Sequence, residues 1–165
     1  MKKNIYLILI IFFFIQAFFA SVPTITFPGN IRFFTNKFHS MEPTISEHHL
    51  SIIKKLPAYQ YMPGDTIAFN SVQSNEITSH RIIRREPAGF ITKGDANEAF
   101  DKNLVPYSWV QGKVIGKIPF LGAYISVLKQ PLGVFLLLVL PGLTIIINEF
   151  SVLRKLLIKK PPSKK

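Results

Sequence analysis

Two long apolar segments, one near each end of the chain, constrain its fold more than any other feature of the sequence. In the first, residues 5–15 are all strongly apolar except Tyr6, and the run continues to Ala20 with only Gln16 interrupting it. A helix rises about 1.5 Å per residue, so roughly 18 such residues can cross the hydrocarbon core of a bilayer. Residues 4–22 are therefore either a transmembrane anchor or a cleaved secretion signal, because two lysines precede them and small residues lie near their end.

The second apolar segment, residues 131–148, contains an uncharged stretch of 16 residues from Leu132 to Ile147. Pro141 and Gly142 interrupt it. This pair would break a core helix of a soluble protein, whereas a membrane helix tolerates a kink where its neighbours satisfy the freed backbone groups. We interpret the segment as a second transmembrane helix, with a soluble core helix as the alternative.

The net charge of +11 is concentrated at the ends of the chain. Eight of the 20 Lys and Arg residues lie in residues 2–3 and 154–165, where no acidic residue accompanies them. The part between the apolar segments, residues 23–129, holds 12 basic and 8 acidic residues. A nucleic-acid-binding protein would concentrate its cations in the folded domain, so the sequence predicts no nucleic-acid partner.

The end of a membrane helix that is flanked by Lys and Arg residues usually lies on the cytoplasmic side. Both ends of the chain are then cytoplasmic, with residues 149–165 as a basic tail and residues 23–129 as a domain outside the cytoplasm. This pattern predicts a multi-pass protein of the cell membrane. It also requires that the first segment is retained as an anchor.

Residues 23–129 have the pattern of a β-rich domain. No stretch in this part keeps a 3.6-residue apolar period for three turns, whereas short β-rich pieces alternate with turn residues. The strand candidates are residues 50–53, 66–69, 77–83, 90–92 and 109–115. Their spacing predicts a mainly β fold, with a partly closed antiparallel sheet between the two helices.

The residue types available limit the chemistry. The chain contains no cysteine, which excludes disulfides, thiolate zinc sites and cysteine nucleophiles. His48 and His49 are adjacent rather than spaced as metal ligands, and His39 has no second ligand nearby in the sequence. The sequence therefore predicts no metal site and no cofactor, and catalysis would need an oxygen or nitrogen nucleophile.

A short loop at residues 40–44, with the sequence Ser-Met-Glu-Pro-Thr, is a candidate position for such a nucleophile. Pro43 biases the residue before it away from helix, so the loop is extended or turning and can present the Ser40 hydroxyl. Hydrolysis of an amide also needs a base that accepts the serine proton and returns it to the leaving amine. His80, with a carboxylate from Asp95 or Asp101, could supply that base.

Five blocks of the sequence resemble type I signal peptidases, and they occur in the order of that family. Each block alone is a common turn or strand pattern, but together they cover most of residues 40–122. The blocks are residues 40–44, 63–69, 79–82, 92–97 with Asp101, and 112–119. Because His80 stands where one branch of the family has a lysine, the resemblance is to the Ser-His-Asp branch, typical of archaea, the endoplasmic reticulum and some sporulating bacteria.

The resemblance implies a role for each matching residue. Ser40 would be the nucleophile, His80 the general base and then acid, and Asp101 the residue that orients His80. Asp95 would be a second carboxylate, required or supporting, although a residue that follows a glycine in this way also commonly caps a turn through its side chain.

The resemblance also implies an activity. The chain would be a membrane-bound serine endopeptidase that cleaves signal sequences from exported preproteins after small side chains. Its partners would be signal-peptide-bearing preproteins, the lipid bilayer and the translocation machinery.

One departure from the family precedes the serine. The residues before it are often small in the family, but here they are Phe38 and His39. A side-chain donor for the oxyanion is then missing, His39 would narrow the cleft, and the backbone N–H of Ser40 would have to serve. The alternative function is a catalytically inactive, membrane-anchored β-domain that binds precursors or secretion partners.

Several aromatic residues follow the first apolar segment closely. They would either rest in the lipid interface and hold the site near the bilayer, or pack in the core of the domain. These residues are Phe27, Phe33, Phe34 and Phe38.

Overall fold

An eight-stranded antiparallel sheet forms the centre of the protein, with one long apolar helix before it and another after it. The computed structural model describes residues 2–71 and 76–158. The helices are α1 (Lys2–Ser21), α2 (Leu121–Lys129), α3 (Pro131–Val134) and α4 (Leu140–Ile158). The strands are β1 (Thr26–Phe27), β2 (Ile31–Thr35), β3 (Leu50–Lys54), β4 (Thr66–Asn70), β5 (Ile77–Glu86), β6 (Gly89–Lys93), β7 (Val105–Pro106) and β8 (Val110–Ile118).

The last strand, β8, lies in the middle of the sheet. The strand order is β1-β2-β3-β8-β4-β5-β6-β7, so β8 pairs with β3 on one side and with β4 on the other. At the β3 edge, Gly112 leaves no room for a side chain, because a Cβ there would lie 2.9 Å from the Lys54 carbonyl oxygen. Through β8, the β4–β5 hairpin is joined to β3 and β2, the two strands that flank residues 40–44.

The main core lies against β4, β5, β6 and β8. Alternate apolar residues of these strands point to one face, as a half-buried sheet requires. Tyr61 packs its ring edge-on against Phe90 at 5.9 Å between centroids. The buried members of this cluster are Tyr61, Ile67, Phe69, Ile82, Phe90, Val105 and Val110.

Helix α1 is docked on α2 by one polar contact and one aromatic contact. Gln16, the one polar interruption of the apolar run, is only 3% exposed. The Tyr124 hydroxyl donates a hydrogen bond to the Gln16 Oε1 atom, and the rings of Phe19 and Tyr124 meet edge-on at 5.7 Å. Since a buried amide without a partner is costly, the contact with Tyr124 explains how Gln16 is accommodated.

The second apolar segment is helical throughout its described length. A π-helical turn at Phe135–Val139 connects α3 to α4, and Pro141 lies at the start of α4. Proline cannot donate the next helical hydrogen bond, and a π-helical turn is one way a helix absorbs such a break. The helix then continues to Ile158, ten residues beyond the segment end at 148 that the sequence predicts.

The predicted fold class is confirmed in its main features. The protein is mainly an antiparallel sheet with two apolar helices that are long enough to cross a membrane, one near each end. The strand candidates correspond to β3, β4, β5, β6 and β8, whereas β1, β2 and β7 escaped prediction. Helix α2 was also missed, because its nine residues are too short for a three-turn apolar period.

The aromatic residues after α1 differ in burial, and Phe33 packs against the buried cluster of Val22, Leu50 and Ile125. Phe34 is buried in a small cluster with Ile53 and Ala68, so it is a core residue. Phe27 and Phe33 pack edge-on against each other at 5.3 Å, and both are partly exposed.

Candidate active site

Ser40 lies in a one-turn 3-10 helix, His39–Met41, between β2 and β3. The Ser40 carbonyl oxygen accepts a hydrogen bond of 2.9 Å from the backbone N–H of Ala96. Gly94 permits this approach, because a Cβ at that position would lie 2.4 Å from the same oxygen. The Ser40 turn and the turn at residues 94–97 are therefore held directly against each other.

A hydrogen-bonded chain connects three of the four predicted site residues. The Ser40 Oγ atom lies 3.1 Å from His80 Nε2, and His80 Nδ1 lies 2.5 Å from Asp101 Oδ2. The side chains of His80 and Asp101 are mostly buried. Phe69, a neighbour on β4, presents its ring edge-on to the imidazole at 5.7 Å between centroids.

The donors and acceptors in the Ser40–His80–Asp101 series follow from the chemistry of Asp101 and His80. An ionised carboxylate only accepts hydrogen bonds, and a neutral imidazole has one N–H and one acceptor nitrogen. With Asp101 at Nδ1, the proton of neutral His80 belongs on Nδ1. Nε2 is then the acceptor that faces the Ser40 hydroxyl, and this is the tautomer that a general base needs.

Thr92 holds the carboxylate of Asp101. The fully buried Thr92 hydroxyl donates to Asp101 Oδ2 at 2.5 Å, and the Asp101 backbone N–H donates to the Thr92 carbonyl at 2.8 Å. Thr92 opens one of the sequence blocks that resemble the family, but its role is not predictable from the sequence. The presence of a threonine at the start of that block was the only sequence feature that could have indicated this contact with Asp101.

Asp95 is bound to Arg81 rather than to the imidazole. Arg81 Nε and Nη2 donate to the two Asp95 oxygens at 2.8 and 2.6 Å, and Arg81 Nη1 donates to the Gly64 carbonyl at 2.7 Å. The hydrogen bonds from Arg81 are the main reason that the pKa of Asp95 lies below its ordinary value; burial opposes them, and a hydrogen bond with Thr44 adds to them. The Arg81–Asp95 pair thus connects β5 to the turn at Gly64, through Arg81, and to the loop after Ser40, through Asp95 and Thr44. This role of Arg81 was not predicted from the sequence.

A buried amide fixes both ends of the segment that carries Ser40. The Asn36 Nδ2 group donates to the carbonyl oxygens of Phe38 at 3.0 Å and of Ser46 at 3.3 Å. The Asn36 backbone N–H donates to the His49 carbonyl at 3.2 Å. Asn36 was not singled out in the sequence, because a lone asparagine after a strand resembles any turn residue.

A cavity of about 290 Å³ opens beside Ser40 and His80. Its walls are mainly apolar and aromatic, and amide and hydroxyl side chains also line it. The lining side chains away from the hydrogen-bonded chain include Phe38, Phe69, Thr78, Asn97, Leu104 and Trp109.

His39 does not narrow this cavity, contrary to expectation. Its side chain is 67% exposed and lies between Glu42, at 2.9 Å from Nδ1, and Glu47, at 3.0 Å from Nε2. The hydrogen bond with Glu42 and the charge of Glu47 raise the pKa of His39. Of the two residues before the serine, Phe38 is the one that lines the cavity.

The chemistry of the site is that of an acid–base pair without a metal ligand set. Among residues 2–71 and 76–158, no group of three His, Asp or Glu side chains has the geometry to hold a metal ion. A hydroxyl, an imidazole and a carboxylate in series can activate an oxygen nucleophile.

Comparison with known proteins assigns the chain to no family. No protein-family model matches it, and no curated protein matches it.

Proposed function

We propose that the protein is a membrane-bound serine endopeptidase that cleaves signal sequences from exported preproteins. The observation that carries the proposal is the chain from Ser40 Oγ through His80 to Asp101, with distances of 3.1 and 2.5 Å. The three residues come from separate parts of the sequence, and two of the connecting side chains are mostly buried. Their order also agrees with the blocks that resemble type I signal peptidases.

In the acylation step, Ser40 Oγ attacks the scissile carbonyl carbon while its proton passes to His80 Nε2. The imidazolium that forms is stabilised through Nδ1–H by the Asp101 carboxylate. The C–N bond of the tetrahedral intermediate then breaks, and Nε2 returns the proton to the leaving amine. The signal sequence stays as an ester on Ser40, and the mature protein leaves with a free N-terminus.

In the deacylation step, a water molecule takes the place of the leaving amine. It gives one proton to His80 Nε2 and adds to the ester carbonyl, after which the C–Oγ bond breaks and Ser40 recovers its proton. The negative oxygen that forms in both steps needs a donor, and the backbone N–H of Ser40 is the donor that we assign.

The location in a membrane is part of the proposal. Two helices are long and apolar enough to cross a bilayer, and Gly133 is the one buried residue within Pro131–Arg154. An apolar helix with little protein cover is stabilised by lipid. With basic flanks on the cytoplasmic side, the domain that carries Ser40 lies outside the cytoplasm, where exported preproteins emerge.

Variants of the proposed nucleophile and base test the activity. Ser40→Ala and His80→Ala should each stop the processing of a preprotein in membranes, while the variant protein stays in the membrane at normal abundance. Ser108→Ala, a change at an exposed serine of the same domain, is the matched control and should process normally. Continued processing by either site variant would refute the proposal.

A serine-reactive active-site probe separates this function from the alternative, an inactive β-domain that binds precursors. Labelling at Ser40 that is lost in His80→Ala supports the enzyme. A folded protein that is never labelled, yet retains preproteins, supports the binding domain.

Tags test the topology independently of the chemistry. A tag after Lys165 should resist protease added outside intact cells, and a tag in the exposed turn at Pro87 should be cleaved. Any other pattern contradicts the orientation that we propose.

A further inference from the structure

We propose that the turn between β8 and α2, residues 118–120, inserts into the interfacial layer of the bilayer and holds the Ser40 domain against it. This inference rests on the proposed membrane location. It concerns a surface outside the Ser40–His80 site and assigns it a lipid partner.

The apolar side chains of this turn are unusually exposed. Phe120 is 78% exposed, more than any other large apolar residue in the described part of the chain, and Ile118 is 37% exposed. Ile115, three residues earlier on β8, is 51% exposed. Soluble surfaces rarely expose neighbouring large apolar residues, and clusters of this kind mark interaction sites.

The backbone of Phe120 has a left-handed conformation that is strained for a bulky residue. Its φ and ψ of 61° and −20° lie in the left-handed region. Asparagine or glycine is the usual residue at such a position, and a bulky side chain there costs free energy. A phenylalanine at this position is therefore explained by what its ring contacts outside the protein rather than by turn geometry.

The turn is level with the end of α1. Leu121, the next residue, packs on the cluster that contains Val22, directly after α1. One helical turn further along α2, Tyr124 reaches Phe19 and Gln16. Helix α2 thus packs beside the C-terminal end of α1, and the 118–120 turn that precedes α2 lies near that end, where α1 would emerge from the bilayer in the proposed location.

The charge of this region fits a membrane surface. No acidic residue occurs between Asp101 and Glu149. Of the lysines near the turn, Lys113 pairs with Asp65 at 2.6 Å and Lys117 donates to the Thr44 carbonyl, so it is the apolar side chains and their place beside α1 that point to lipid. An exposed phenylalanine beside the end of an apolar helix is typical of interfacial contacts, in which the ring enters the boundary between headgroups and acyl chains. This position favours a bilayer over an apolar protein partner.

The turn is also rigidly connected to the Ser40 segment. Gly122 lies so close to the segment at residues 48–49 that a Cβ would lie 2.5 Å from the His49 carbonyl oxygen. The Ala123 N–H donates to the His48 carbonyl at 3.3 Å, and Lys117 Nζ donates to the Thr44 carbonyl. Insertion of Phe120 would therefore fix the height of the Ser40 segment above the lipid.

The absence of cysteine allows a direct test with the full chain. Single-cysteine variants Phe120→Cys, Tyr59→Cys and Ile146→Cys would be labelled with a polarity-sensitive fluorophore and reconstituted in vesicles of phosphatidylcholine and phosphatidylglycerol. Tyr59 is a matched exposed aromatic residue of the same domain, and Ile146 is an exposed residue of α4. Nitroxide-bearing lipids and aqueous iodide would serve as the two quenchers.

We expect the label at position 120 to be quenched by nitroxide lipids nearly as strongly as that at 146, and several-fold less by iodide than that at 59. A label at 120 that behaves like the one at 59, while 146 reports lipid, would overturn this inference and leave the membrane location intact. Lipid quenching at neither 120 nor 146 would overturn both. Shielding of position 120 from both quenchers would identify a covering protein surface and overturn the lipid assignment.

Discussion

Thr92 and Asp101 are joined by two hydrogen bonds of opposite direction, one from the Thr92 hydroxyl to the carboxylate and one from the Asp101 N–H to the Thr92 carbonyl. The Asp101 oxygen that accepts from Thr92 is the one that also contacts His80. The threonine therefore sets the position of the atom that orients the imidazole, and we infer that it is a positioning residue.

Thr92→Val should lower kcat for preprotein cleavage by about tenfold and leave KM unchanged. The change keeps the shape of the side chain but removes a hydrogen bond to a charged group, which is worth about 1.5–3 kcal/mol. Steady-state kinetics on a purified preprotein would measure the effect. Thr92→Ser keeps the hydroxyl and should restore kcat; equal losses in both variants would show that the effect is one of packing.

Asp101→Asn should reduce kcat by about 10³–10⁴-fold, because an amide can donate to Nδ1 and favour the wrong tautomer of His80. Asp95→Asn should reduce kcat far less, since Asp95 contacts Arg81 rather than the imidazole. Parallel processing assays of the two variants would measure the difference. A larger loss in Asp95→Asn would contradict the separate roles that the geometry gives to the two carboxylates.

Gly94→Ala should displace the Ser40 turn, because the added Cβ would lie 2.4 Å from the Ser40 carbonyl oxygen. We expect a fall in activity together with loss of labelling by a serine-reactive probe. Gly116→Ala is the matched control: its Cβ would make an ordinary 3.4 Å contact with Ile52 Cδ1. Normal activity of Gly94→Ala would show that the two loops can separate without effect on the site.

The ion pair of Asp95 with Arg81 should make stability depend on pH. Since the pKa of Asp95 is lowered chiefly by Arg81, its contribution is present above the ordinary aspartate pKa of about 4 and is lost as the pH falls through the folded value. Asp95→Asn should lower the free energy of unfolding by about 1–3 kcal/mol at neutral pH, and by less in acid.

Denaturant unfolding at a series of pH values would measure this dependence in detergent solution. In an Arg81→Gln background, the pH-dependent effect of Asp95→Asn should become much smaller, because only the weaker contributions such as the hydrogen bond with Thr44 remain. A pH-dependent difference that is undiminished without Arg81 would assign the stabilisation of Asp95 to other groups.

The contact between Gln16 and Tyr124 should couple α1 to the domain. Gln16→Leu alone leaves the Tyr124 hydroxyl without its partner, whereas Gln16→Leu with Tyr124→Phe removes both polar groups. We expect a coupling free energy of about 0.5–2 kcal/mol in a double-mutant cycle of detergent unfolding. Additive effects of the two changes would show that α1 is held by apolar packing alone.

The sequence was sufficient for those parts of the fold that have strong local signals. The two apolar helices and the strands with β-branched alternation were predicted, as were Ser40, His80 and Asp101 as candidates. The short strands β1 and β7 have two residues each, and two residues carry no periodicity. The position of helix α2 is determined by its packing against α1, and such a tertiary contact cannot be predicted from a local sequence pattern.

The supporting contacts could not be predicted, because they join residues that are distant in the sequence. Thr92 and Asn36 act through hydrogen bonds to backbone and carboxylate groups whose positions depend on the completed fold. The choice between Asp95 and Asp101 as the neighbour of His80 is also tertiary. Both aspartates follow β6, and they are separated by the pairing of Arg81 with Asp95 and of Thr92 with Asp101.

The position of β8 between β3 and β4 has a consequence for synthesis of the chain. Strands β3 and β4 have no direct pairing, so the sheet is continuous only after residues 110–118 have joined them. A nascent chain that ends before β8 would carry Ser40 and His80 on two unconnected hairpin systems. The hydroxyl and the imidazole would then meet in a stable geometry only once nearly the whole domain has left the ribosome.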